Sequence, residues 1–115
     1  MNQKELILHQ KISVAWHNVF VHDPLMFQRL LCQWNNAPTK AYGNKMRTMG
    51  VKSGVSDWLF LDDCGKCIWI ELKVDDNKQS PDQIKFENLC NLLRHKYVIC
   101  RDYESFWEII GIKPS

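Results

Sequence analysis

Glu71 and Lys73 flank one residue in Ile70-Glu71-Leu72-Lys73, inside a run of aliphatic, aromatic and β-branched side chains from 67 to 74. A strand there sends alternate side chains to opposite faces, so Ile68, Ile70, Leu72 and Val74 share one face and Trp69, Glu71 and Lys73 the other. An acid and a base thus lie on one side at one end of the strand. A second apolar run, 55–61, precedes Asp63-Cys64-Gly65, which suits a three-residue hairpin loop with the glycine in the left-handed conformation. A hairpin centred on Cys64 sets Asp57 across from Glu71, with Cβ atoms about 5 Å apart. Two carboxylates that close repel each other. Either one is held protonated or a cation sits between them, and hard oxygen ligands favour magnesium, manganese or calcium.

A cation on two carboxylates, with a lysine beside it and a basic surface alongside, is what phosphodiester hydrolysis requires. The metal offsets charge developing on the phosphate oxygens, and the ammonium steers the attacking water or stabilises the same charge. The expected reaction is in-line attack by water. The basic surface is visible in the charge distribution rather than in the net charge of +2. From Pro24 to Ser56 there is no acidic residue, while Arg29, Lys40, Lys45, Arg47 and Lys52 are all cationic. The last four precede Asp57 directly and are the candidates for DNA phosphate contact. The competing reading is plain: strand-end charges facing solvent, Glu71 neutralised by Lys73 or Lys52, and a solvated lysine-bearing loop.

These residues need elements to hold them. Leu8, Ile12, Ala15 and Val19 recur at helical spacing, so residues 3–18 read as an amphipathic helix with Glu5 at the edge of its apolar face. Residues 27–34 fit a strand or a short helix. Residues 35–54 read as mostly loop with one short helical piece around 44–49. After the hairpin, Ser80 is an N-cap, Pro81 the first helical position and Gln83 the partner of a capping box, opening a helix that runs to about residue 95. Residues 97–100 suit a strand covered on both faces, and Tyr103, Phe106, Trp107 and Ile110 mark a closing helix. Strand, crossover helix and strand form a right-handed parallel unit, so the fold class is α/β with a mixed sheet.

At 115 residues, 45% hydrophobic and 24% charged, the chain has the size of one globular domain. No apolar run is long enough to span a membrane, and the first residues lack the pattern of a signal peptide, which points to a soluble intracellular protein. Five cysteines, Cys32, Cys64, Cys67, Cys90 and Cys100, are an odd number in largely apolar settings and argue against a disulfide framework. Cys64 and Cys67 form a Cys-x-x-Cys with no second pair, which a hairpin tip explains better than zinc. His9, His17, His22 and His95 show no ligand spacing and read as surface or helix-end residues. Trp16, Trp34, Trp58, Trp69 and Trp107 lie in patterned segments and read as core or interface.

Gly50-Val51-Lys52-Ser53-Gly54-Val55-Ser56-Asp57, then Ile70-Glu71-Leu72-Lys73, then Ser80-Pro81-Asp82-Gln83, together resemble the virus-type replication-repair nuclease (VRR-NUC) domain of the PD-(D/E)xK nuclease superfamily. The resemblance spans about residues 35 to 110 and implies a restriction-endonuclease-like mixed β-sheet core flanked by helices, in the order α-β-β-β-α-β-α. It implies that Asp57, Glu71 and the main-chain carbonyl of Leu72 bind Mg2+ or Mn2+, that Lys73 is the base or water-positioner, and that Gln83 completes the catalytic site. A glutamate of the first helix often joins such sites, and Glu5 is the nearest match. Ser56 stands where the family usually has proline, a change that leaves the metal ligands in place.

The resemblance further implies a phage or mobile-element endonuclease acting in a bacterial or phage-infected cytoplasm, with branched DNA such as four-way junctions among its substrates. Nothing in the residues selects a junction over a flap or a duplex. A non-catalytic DNA-binding module with the same fold, a monomeric flap or nicking enzyme, and an assembly protein with an aromatic partner surface are the alternatives. A junction's two-fold symmetry and the five tryptophans both point to a homodimer.

Overall fold

The computed structural model describes residues 2–33 and 39–114. Asn2 caps the first helix, α1 (Gln3–Phe20), through a capping box with Glu5, and the helix buries Leu8, Ile12 and Trp16. Asp23 and Pro24 open a single turn, α2 (Pro24–Phe27), and the chain then extends as β1 (Leu30–Cys32). Of the two readings of residues 27–34 the strand holds, at Leu30–Cys32, and only Phe27 belongs to the helical turn before it. The expectation for Trp34 lies outside the described residues. Thr39 caps α3 (Lys40–Thr48), which is longer than the sequence suggested.

The hairpin of β2 (Trp58–Leu61) and β3 (Cys67–Leu72) has the expected register, with Trp58 opposite Ile70 and Leu61 opposite Cys67. Its loop closes through Asp62 N–H on Lys66 O, with Gly65 at φ 77°. The Asp62 carboxylate takes the Cys64 and Lys66 N–H groups, and these bonds hold it below the usual carboxylate range. Both strands are shorter than the apolar runs. Residues 50–57 are irregular, and Gly50 and Gly54 within them adopt φ 97° and 85°, outside the strand region.

Ser80 caps α4 (Pro81–Leu92) with the predicted capping box, Gln83 Oε1 accepting from Ser80 N–H at 2.8 Å. The chain returns as β4 (Lys96–Cys100), parallel to β3, and closes with α5 (Tyr103–Ile110), capped by Asp102. Among the described residues the sheet runs β1-β2-β3-β4, antiparallel except for the last pair. This is an α/β chain with a four-stranded mixed sheet flanked by helices.

One sheet face carries Trp58, Phe60, Ile68, Ile70, Leu72 and Cys100 into a core with α1 and α5. Trp16 sits at its centre, stacked on Trp107 with ring centroids 5.9 Å apart and edge-on to Phe60. On the other face Phe86 of α4 meets Trp69 and Tyr97 edge-on. Helices thus cover both faces of β4, as expected, although it is an edge strand with Tyr97, Val98 and Ile99 only half-buried. The cysteines are free thiols. Among the described residues no helix is long and apolar enough to cross a membrane.

Candidate active site

The carboxyl end of β3 opens into a cleft of about 460 Å³ walled by the first turn of α1, by α3, by residues 51–57, by residues 77–78 and by the first turn of α4. Asp57, Glu71, Leu72, Lys73, Gln83 and Glu5 all line it. The six positions assigned to chemistry from the sequence therefore converge on one surface, although Glu5 and Gln83 are 78 residues apart in the chain.

Asp57 stands one residue before the paired part of β2, and its Oδ2 accepts the Leu72 N–H at 2.8 Å. That bond orients the carboxylate along the end of β3. Glu71 is 2% exposed, and its Oε1 is buried without a hydrogen-bond partner. Burial, then the Asp57 carboxylate beside it, pushes Glu71 far above the carboxylate range, to about 10, against the opposing pull of Lys73. A solvent-facing strand-end glutamate would show neither feature, so the plain reading of Glu71 is corrected. The donor set, a buried carboxylate with an unused oxygen beside a second, backbone-oriented carboxylate, is one that a small hard divalent cation satisfies. Among the described residues no group of three or more His, Cys, Asp or Glu side chains is arranged to hold a metal. An ion between Asp57 and Glu71 would therefore take its further ligands from main-chain oxygen, with Leu72 at the cleft surface, and from water.

Lys73 follows β3 directly, its N–H bonded to Cys100 O at 3.0 Å and its ammonium 3.9 Å from Glu5 Oε1. Glu5, expected at the edge of the apolar face of α1, is in fact buried at 4% exposure. Gln83 serves its capping box and also lines the cleft, so its structural and site readings hold together.

The basic residues divide. Arg47 and Lys52 line the cleft, whereas Lys40 and Lys45 are exposed on α3 outside it. Arg29, the remaining cation of the acid-free stretch, donates to Leu61 O at 2.7 Å and lies over the Phe60 ring. His9 corrects the histidine reading, because it is buried, stacked on Trp58 at 4.3 Å, with Nε2 3.6 Å from Cys32 Sγ. Burial lowers its pKa. His17, His22 and His95 are exposed, as expected.

Five participants were given no role from the sequence, Ser53 and Gly54 being quoted only within the motif. Asn77 and Lys78 line the cleft from the turn after β3, Ser53 Oγ donates to Asp82 Oδ2 at 2.8 Å, and Gly54 packs against α4. Asn2 carried a usable signal, since Asn2 followed by Glu5 has capping-box spacing. Comparison with protein-family models, with curated proteins and with solved structures found no match.

Proposed function

We propose that this chain is a divalent-metal-dependent DNA endonuclease of the VRR-NUC kind, acting in a bacterial or phage-infected cytoplasm on branched DNA such as four-way junctions. The observation that carries the reading is Glu71, a buried carboxylate with an unpartnered oxygen, set beside Asp57 in a cleft that cationic side chains also line.

Each residue has a defined task. Asp57, oriented by the Leu72 N–H, and Glu71 would hold the cation, and the Leu72 carbonyl would be a further ligand. When bound, Mg2+ or Mn2+ supplies Lewis acidity toward the phosphate and neutralises the two carboxylates. Lys73 orients the attacking water and places positive charge near the reacting phosphate. Arg47 and Lys52 grip phosphates at the cleft, and Lys40 and Lys45 extend the grip along α3. Gln83 borders the site from α4. Two such sites, one per subunit of a homodimer, serve the paired incisions of a four-way junction.

The test is cleavage of labelled junction, flap, nicked and linear DNAs in magnesium, manganese or EDTA. Wild type cleaves with metal and not in EDTA, and Asp57→Asn abolishes cleavage with fold and DNA affinity retained, because asparagine lacks the charge the cation requires. Full activity in EDTA, equal turnover by Asp57→Asn, or tight DNA binding with no cleavage of any substrate would overturn the enzyme reading. In the same DNAs, alanine at Lys40, Lys45, Arg47 and Lys52 together flattens the dependence of log affinity on log salt by roughly one unit for each phosphate no longer neutralised. An unchanged slope would place the DNA elsewhere.

A further inference from the structure

The turn after β3 is more elaborately held than a connection requires. Asp75 has φ 50°, a left-handed conformation uncommon for a residue with a side chain. Lys4 Nζ meets Asp75 Oδ2 at 2.7 Å, Asn77 N–H bonds Val74 O at 3.1 Å, and Arg101 Nη1 donates to the carbonyls of Asp75 and Asn77 at 3.2 and 3.5 Å. These ties from α1 and from the residue after β4 fix one side chain in particular. Asn77 Nδ2 donates to Glu5 Oε1 at 3.2 Å.

Glu5 is buried, so its carboxylate must be satisfied within the protein. Oε2 accepts the Asn2 N–H at 3.3 Å, and Oε1 is shared between Asn77 and the Lys73 ammonium at 3.9 Å. The Lys73 side chain is itself only 12% exposed, so the attraction acts where water screens it weakly. At 3.9 Å the carboxylate attracts the ammonium without hydrogen-bonding to it. This leaves N–H donors for the cleft.

We infer that Asn77 is a positioning residue, which acts through Glu5 to hold the Lys73 ammonium at the cleft. Its consequence for catalysis rests on the nuclease reading above; its effect on Lys73 does not. A merely structural Asn77 would tie α1 to the turn, and its loss would lower stability without selectively mobilising Lys73.

The experiment reads Lys73 directly, by trace acetylation with acetic anhydride and site-resolved mass spectrometry, in wild type, Asn77→Leu, Asn77→Ser and Glu5→Gln. Lys66 and Lys113, exposed and remote from the cleft, are internal references. Lys73 is protected in wild type and reacts several-fold faster in each variant, while the references are unchanged. Asn77→Ser, the milder change, keeps the test valid if the leucine variant folds poorly. On cleaved DNA the variants lose on the order of tenfold or more in kcat at unchanged KM, and Asn77→Leu/Glu5→Gln loses no more than the worse single variant. Unaltered Lys73 labelling in both Asn77 variants, or a rise shared equally by the reference lysines, would overturn the inference whether or not the protein cleaves DNA. Selective exposure of Lys73 in a protein that cleaves nothing would uphold the positioning and refute the nuclease reading.

Discussion

A carboxylate buried with one oxygen unpartnered weakens the fold whenever it carries its charge, and Glu71 is such a group. Its folded-state pKa lies above the unfolded value of 4.5, so the folded protein holds the proton more tightly. Its contribution to stability is therefore fully present below about pH 4.5 and is lost progressively as pH climbs toward about 10. The slope for one proton reaches about 1.4 kcal/mol per pH unit. The clean window is about pH 7 to 8: it lies above the ordinary pKa of a histidine, which burial lowers at His9 in the folded protein, and below the ordinary pKa of a thiol, which burial raises at Cys90 and Cys100. In metal-free buffer, urea denaturation should show wild type losing stability across this window while Glu71→Gln stays flat, and Mg2+ or Mn2+ should remove most of the wild-type slope. Equal slopes in the two proteins would mean that Glu71 is not the buried charge described here. The alternation around Ile70-Glu71-Leu72-Lys73 made this residue legible in the sequence. Its burial was not legible, because the helices that cover the end of β3 come from distant parts of the chain.

At the scale of elements, the site depends on how residues 50–57 meet the start of α4. A Cβ built on Gly54 would lie 2.4 Å from Asp82 O and 2.9 Å from Gln83 N, and the residue's φ of 85° already excludes most side chains. Gly54→Ala should therefore cost on the order of 2–4 kcal/mol by chemical denaturation, and it should weaken metal binding because the same segment delivers Asp57. A stability loss below about 0.5 kcal/mol would show that the loop and α4 are not pressed together. Elements specified by local signals were legible: the hairpin register from Gly65 and the flanking apolar runs, and the start of α4 from Ser80, Pro81 and Gln83. The loop before β2 was not, because its path is set by contact with Asp82, which lies 28 residues beyond Gly54. The burial of Glu5 against Asn77 and of His9 against Trp58 likewise depends on tertiary partners that no helical periodicity encodes.

At the scale of the whole molecule, the described tryptophans find their partners within one chain and supply no surface for a dimer. Trp16, Trp58 and Trp107 are buried within one chain and Trp69 packs on Phe86, so the described tryptophans leave no large aromatic surplus. The proposed homodimer rests instead on the symmetry of a four-way junction, which a chain with one Asp57–Glu71 site cannot cut in two places at once. Sedimentation equilibrium at micromolar protein should give the dimer mass, and a monomer mass with and without junction DNA would refute it. Mixing wild type with Lys73→Ala should then yield singly nicked junctions from the heterodimer. The claim on which these expectations converge is that the folded chain holds a divalent cation between Asp57 and Glu71. Electron paramagnetic resonance tests it without any assumption about the DNA, because the sharp lines of free Mn2+ vanish when the ion is bound. Titrating Mn2+ with wild-type protein should quench the signal to one bound ion per chain, and Asp57→Asn at the same concentration should leave it intact. An undiminished signal with wild type at millimolar protein, or equal quenching by Asp57→Asn, would contradict the account.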